Sequence, residues 1–372
     1  MDRLQQLQNC GQSYWLDNLT RRMIHNGELQ ERVTKTGLRG VTSNPNTFHK
    51  AISETNDYDE HISRLVRRQT PTTELYERLV VADVQAACDL LRPVYDETEG
   101  GDGFVSLEVS PHLAHDADGT MQEARRLWAL VGRPNVLIKI PGTAAGVPAI
   151  EQMLYEGVNV NITLLFSVPR YEAVAVAYIN ALERRITAGR SVREVASVAS
   201  FFLSRIDVLV DQLLHHRLLP QNRKGNGPYP EALVGRVAIA NAKLAYDRFR
   251  QLFCGERWQA LTSNGARVQR PLWASTSTKN PRYSDVRYIE PLIGPSTVTT
   301  MPEETMSAFA DHGEVKANTV MEEVGEARQV FRDLGTLGVD FGCVTWQLEN
   351  EGVQKFLEPY DALMSILLKT QA

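Results

Sequence analysis

The sequence predicts an α/β protein, a (β/α)8 barrel carrying additional helices, and three observations carry that expectation. Eight short apolar segments, with polar residues at or near their ends, recur along the chain. Helical patterns separate them almost throughout, as a parallel sheet with crossover helices requires. Eight is also the number of parallel strands that closes such a barrel, typically in about 250 residues, and a chain of 372 residues leaves room for long helical excursions. An open doubly wound sheet is the alternative arrangement of the same elements. No composition shift, internal repeat or low-complexity tract divides the chain, so residues 1–372 read as a single domain.

The apolar segments are, in order, SYWLD (13–17), LRGVTSN (38–44), FVSLEV (104–109), VLIKI (136–140), VNVNIT (158–163), SVASFF (197–202), PLWAST (271–276) and STVTT (296–300). From Thr72 to Glu97, Leu75, Leu79, Ala82, Ala86 and Leu90 fall on one helical stripe. Ser167 followed by Pro169 opens a long helix through Ala181. Thr120 with Glu123, Ser191 with Glu194, and Thr300 with Glu303 match the S/T-x-x-E capping box and predict three further helix starts. Helical patterns also cover residues 231–252, 320–334 and 350–369. The long excursions fall between the second and third and between the sixth and seventh strands; the latter includes QNRKGNGPYP (221–230), a loop by its Gly, Pro and Asn content.

Composition narrows the function. Lys+Arg 40 against Asp+Glu 45 gives a net charge of -5, the wrong sign for a dedicated nucleic-acid binder. No apolar run reaches the roughly 18 residues of a membrane helix, and MDRLQQLQNCGQ lacks a signal-peptide apolar region. Cys10, Cys88, Cys254 and Cys343 form no CxxC pair. Together these predict a soluble cytoplasmic protein with free thiols. No GxxxxGK[ST] or GxGxxG motif supports nucleotide binding.

Side chains alternate faces along a strand. In VLIKI, Val136, Ile138 and Ile140 share one face, leaving Leu137 and Lys139 on the other. If the apolar face meets the helices, Lys139 points into the barrel near the C-terminal end of its strand. A buried ammonium lowers its pKa or finds a partner. The strand alone leaves two readings open, an amine nucleophile for a carbonyl substrate and a lysine that snorkels or pairs structurally. The neighbouring strands weigh in. The same alternation turns Ser106 and Glu108 inward, then Asn159, Asn161 and Thr163, with Trp15 and Asp17 on one face of the first strand. Asp17, Glu108, Lys139, Asn161 and Thr163 thereby converge at the end of the barrel where such active sites lie. A helix N-cap for Asp17 and a buried ion pair with a lysine for Glu108 are the structural alternatives. After the sixth strand, Ser200 and Arg205 of SFFLSR are placed to grip a phosphate through charge-assisted bonds and helix N–H groups; pairing of Arg205 with Asp207 or Asp211 on a solvated face is the alternative.

These motifs resemble the transaldolase family from Trp15 to about Phe309. VTSNPNTF (41–48) is similar to its N-terminal signature, with Asn44 at the substrate-contacting position. NVLIKIPGT (135–143) resembles the active-site segment and makes Lys139 the Schiff-base lysine; IKIPGT replaces the IKxxST of the best-known subgroup. SLEVSPHLAHD (106–116), WLDNLTR (15–21) and NVNITLLFS (159–167) carry the family positions Glu108, Asp17, Asn161 and Thr163. SFFLSR resembles the phosphate-binding segment, with Ser200, Arg205 and the aromatic Phe202, although Phe201-Phe202 stands where many members have Pro-Phe. In WASTSTKNP (273–281) no arginine occupies the second phosphate position, so Lys279 is the substitute, with Ser275 assisting. The wording and length are most like the actinobacterial and cyanobacterial transaldolases.

The resemblance implies transfer of a dihydroxyacetone unit between sugar phosphates in the pentose phosphate pathway: sedoheptulose 7-phosphate and glyceraldehyde 3-phosphate give erythrose 4-phosphate and fructose 6-phosphate. It implies a lysine Schiff base and no metal or organic cofactor. The nearest rival is a fructose 6-phosphate aldolase, a subfamily with tyrosine and glutamine at the positions of Phe202 and Glu108; a barrel that only binds sugar phosphates is the rival from another class. His112-x-x-His115 leads to no third metal ligand, and His215-His216-Arg217 with Arg223-Lys224 reads as a solvated basic face. A monomer and a homodimer both remain open.

Overall fold

The computed structural model describes residues 2–218 and 229–371. Eight parallel strands close into a barrel in chain order: β1 (Gln12–Leu16), β2 (Gly40–Val41), β3 (Phe104–Glu108), β4 (Val136–Pro141), β5 (Val160–Leu165), β6 (Ser197–Phe202), β7 (Arg270–Ala274) and β8 (Thr297–Met301). The eighth pairs back onto the first over Gln12–Leu16, so the open-sheet alternative falls away. β2 shrinks most from its expected span. Only Gly40–Val41 pairs regularly, because the chain turns at once into Asn44, whose side chain accepts the Thr47 N–H and caps the helix Pro45–Ser53.

The helices over Thr72–Glu97 and Val168–Thr187 match their patterns, the second capped by the Ser167 side chain. The three capping boxes fare differently. Thr120 lies inside the helix Ala117–Val131, which starts at the Asp116 cap; its hydroxyl donates back to the Leu113 carbonyl, and Glu123 accepts the Ser110 N–H. Ser191 opens no helix, its Oγ accepting the Arg193 N–H in a turn that leads to β6. Thr300 belongs to β8, and the helix Glu303–His312 starts behind Pro302. A four-residue pattern recurs wherever tertiary packing finds another use for a hydroxyl, which is what happens at all three threonine and serine positions. The three remaining helical patterns become Val237–Phe253, Val324–Thr336 and Phe341–Lys369, the last starting at an Asp340 cap well before Asn350. The loop 221–230 lies outside the described residues except for Tyr229 and Pro230, as do Arg223 and Lys224.

Val105, Leu107, Val136, Ile138, Ile140, Val160 and Ile162 are buried on the helix-facing side of the sheet. Burial of such side chains contributes about 1.5–3 kcal/mol each. The lumen is plugged at its N-terminal end. Trp15 fills the space opposite Gly40, where a Cβ would stand 2.5 Å from the indole. Its Nε1 donates to Asp102 Oδ1 at 2.9 Å, and Asp102 also accepts from Ser13 Oγ and from Arg270 Nη2, the last at 3.2 Å. The large cleft of the barrel opens at its other end. Among the described residues no helix is long and apolar enough to cross a membrane.

Candidate active site

Strand register places the central pair. Glu108 lies beside Lys139 on the adjacent strand, and Lys139 beside Asn161 on the next. Lys139 is 5% exposed, and its Nζ donates to Glu108 Oε2 at 2.9 Å and to the Ser43 carbonyl at 3.2 Å. The buried lysine thus has a partner, and the ion pair offered as the structural alternative for Glu108 exists, with Lys139 as its cation. Pairing does not exhaust the carboxylate: Glu108 Oε1 and the nearby strand residue's Thr163 Oγ1 are buried with no hydrogen-bond partner. Leaving a buried polar atom unmatched costs roughly 1–3 kcal/mol, which a bound substrate or water can offset. Burial pushes the Glu108 carboxyl above its usual value, against the pull of Lys139.

Asp17 follows the end of β1, where its Oδ1 accepts from Thr42 Oγ1 at 2.9 Å, and Thr42 in turn meets Thr300 Oγ1 at 2.8 Å. Thr20, not Asp17, caps the helix Arg21–His25. Burial raises the Asp17 carboxyl too, opposed by Lys139, the Thr42 bond and Arg205. Below the lysine runs a hydrogen-bonded row: Ser200 Oγ donates to Asn161 Oδ1 at 2.7 Å, and Asn161 Nδ2 donates to Ser106 Oγ at 2.9 Å. Asn44 gives its Oδ1 to the helix cap, so its amide N–H2 is what it offers the cleft.

Arg205 stands at the start of the helix Ser204–Leu218. Asp207 accepts from the Ala238 N–H and Tyr288, and Asp211 from the Gly235 N–H and Tyr283, so neither holds the arginine as the surface alternative required. Its guanidinium lies 5.3 Å from the Phe202 ring centroid, Nη1 is buried without a partner, and burial lowers its pKa against the pull of Asp17. Ser275 adopts φ 54°, and its carbonyl and Oγ bond Ser204, tying the end of β7 to this helix start. Lys279 is exposed and donates to Ser277 Oγ at 2.6 Å.

Asp17, Asn44, Lys139, Thr163, Ser200, Phe202, Arg205, Ser275 and Lys279 line one cleft of about 760 Å³ at the C-terminal mouth. Glu108 and Asn161 stand behind it, joined to it through Lys139 and Ser200. Sequence reasoning missed Thr42, which alternation along LRGVTSN turns away from Val41 and into the lumen, and Thr300, which is placed there by its pairing with Trp15. It also missed Lys50, Lys355 and Phe356 on the cleft wall. The last two come from the C-terminal helix, and no local pattern announces where a helix so far along the chain will pack. His112 bonds Asp361 of that same helix at 2.7 Å.

The fold and the groups at its mouth place the chain among (β/α)8 barrels with a buried lysine–carboxylate pair at the catalytic end of the strands. The chain belongs to the transaldolase/fructose-6-phosphate aldolase family, whose model matches residues 14–367. It is 48% identical to Transaldolase 2 of a Nostoc species, over 99% of this chain and 97% of that protein. It is 47% identical to a Frankia alni transaldolase, over 98% and 96%, and 45% identical to a Mycobacterium bovis transaldolase, over 96% and 94%.

Proposed function

We propose that this protein is a transaldolase, moving a dihydroxyacetone unit from sedoheptulose 7-phosphate to glyceraldehyde 3-phosphate and back through a Schiff base on Lys139. The observation that carries the reading is the buried Lys139–Glu108 pair beside the unmatched Glu108 Oε1 and Thr163 Oγ1.

Transfer of the ammonium proton to Glu108, favoured by the raised carboxyl, frees the Lys139 amine to attack the donor ketone. Glu108 then returns that proton, through a water held between Oε1 and Thr163, to the hydroxyl leaving the carbinolamine. Loss of water gives an iminium. Asp17, ionised, takes the proton from the C4 hydroxyl as the C3–C4 bond breaks; the bonding pair flows into the iminium, leaving a three-carbon enamine and a free aldose phosphate. Asn44 holds the enamine hydroxyls, with Asn161 behind the cleft fixing Ser200. Arg205 holds the phosphate end, with Ser275 and Lys279 on the far wall and Phe202 beside the guanidinium, while Ser200 gives its hydroxyl proton to Asn161.

The family name spans two activities, and a product assay separates them. Incubated with fructose 6-phosphate and erythrose 4-phosphate, the protein is expected to form sedoheptulose 7-phosphate and glyceraldehyde 3-phosphate, with free dihydroxyacetone only a minor product. Sustained dihydroxyacetone release without transfer would make it an aldolase; no turnover of any kind would leave a sugar-phosphate binder.

A further inference from the structure

Phe356 is a feature of the cleft that the mechanism above does not use. It is 5% exposed, its ring centroid lies 5.1 Å from Lys139 Nζ and 6.0 Å from Arg205 Cζ, and it lines the cleft opposite the strands. One side chain of the C-terminal helix thus covers both the amine and the cation assigned to the phosphate.

Two backbone features hold it there. β5 shifts register between Ile162 and Leu165, and Leu164 takes a left-handed conformation at φ 60°. The helix Phe341–Lys369 meets this bulge at Gly352, where a Cβ would stand 2.9 Å from Leu164 Cδ2. Gly352 and Phe356 are four residues apart, on one face of the helix. The close approach at the glycine therefore sets the phenylalanine down over the lysine.

We infer that Phe356 determines whether the three-carbon enamine is transferred or lost, by keeping the solvent that would protonate the enamine carbon off the Lys139 adduct until an acceptor aldehyde arrives. The inference rests on the Schiff-base reading of Lys139. Loss requires a proton on the enamine carbon, which regenerates the iminium; water then adds to the C=N carbon, and the carbinolamine expels the lysine amine and releases dihydroxyacetone. The water that opens the iminium is the one at Glu108 and Thr163, which also frees the transfer product in every turnover; the step peculiar to loss is protonation of the enamine carbon, and an apolar ring packed on the amine keeps away the solvent that would supply that proton. An aldehyde acceptor enters along the open cleft and needs no solvent.

The test measures dihydroxyacetone released per unit transferred, from fructose 6-phosphate with and without erythrose 4-phosphate. Phe356→Ala is expected to raise that ratio at least about tenfold, and Phe356→Leu, which keeps apolar bulk, by less. Gly352→Leu, remote from the substrate, is expected to raise it by lifting the helix, and it decides the matter should Phe356→Ala not fold. Borohydride reduction must still label Lys139 in the variants that are scored. Release and transfer falling together at an unchanged ratio would overturn the inference. No adduct in the wild-type protein would overturn the Schiff-base reading itself, and the role of Phe356 with it.

Discussion

The two ends of the barrel each bury a charged pair, and they use it in opposite ways. At the floor, Asp102 spends both carboxylate oxygens: Trp15 Nε1 and Arg270 Nη2 donate to Oδ1, while Ser13 Oγ and Arg270 Nη1 donate to Oδ2. At the mouth, Glu108 gives one oxygen to Lys139 and keeps the other unmatched, as do Thr163 Oγ1 and Arg205 Nη1 within the same cleft. Unmatched buried atoms occur elsewhere too, on the amides of Gln12, Asn135 and Gln269, the hydroxyls of Tyr171 and Thr299, and Nε of Arg248 and Arg287, but among the described residues only at the mouth do three of them gather around the buried lysine. A saturated buried pair is structural: removing one partner leaves the other desolvated and alone. An unsaturated one is a liability to the apo fold that a ligand or a reacting water offsets. Charge and burial alone do not separate structure from function here; unmatched polar atoms gathered at one cleft do.

The largest expected break in this symmetry is Lys139→Met. Transfer should fall by at least about 10⁴-fold, with thermal unfolding close to wild type, since an unpaired Glu108 is free to take up a proton. At the floor the pattern inverts. Asp102→Ala should destabilise the protein by about 3–5 kcal/mol in denaturant titration, while the molecules still folded keep their kcat/KM. A Lys139 variant that unfolds, or an Asp102 variant that folds but does not turn over, would dissolve the distinction.

Arg205→Ala should weaken phosphorylated donors about 10–100-fold in kcat/KM, the worth of a charge-assisted contact. Unphosphorylated ketoses should be nearly unaffected; equal loss on both would take Arg205 out of the phosphate site. The smallest effect concerns Asp17. It works ionised, and its carboxyl is raised above its ordinary value by burial, so activity is full above the raised pKa and is lost as pH falls through it. The acidic limb of kcat/KM should thus lie above the usual carboxylate range of about 4. Thr42→Val removes a hydrogen bond that favours the charged form, so it should move that limb to higher pH, with kcat at pH 8 reduced only about threefold. A limb that does not move would detach Asp17 from the rate.

Much of the site was legible because strand alternation is a two-residue rule. Val105 and Leu107 fix the inward aim of Ser106 and Glu108, and Ile138 and Ile140 that of Lys139, before any pairing is known. Lys139 and Glu108 meeting at 2.9 Å follows from parallel register, and the family resemblance supplied the individual roles. What was not legible depends on distant packing. Thr300 matched a local helix-start pattern while serving as a strand residue that steadies Thr42. Phe356 carries no motif, and packing against distant elements, the bulge at Leu164 meeting the glycine at 352 among them, brings its helix across the mouth. The same holds for saturation: nothing local in the sequence shows that Asp102 is fully bonded while Glu108 is not.

The most direct test of the account is borohydride trapping with fructose 6-phosphate, followed by intact mass and peptide mapping. A reduced three-carbon adduct on Lys139, absent from Lys139→Met, is the predicted result, and it reports imine formation and donor cleavage at once. A folded protein with no adduct, or with the label on Lys50, Lys279 or Lys355, would contradict it.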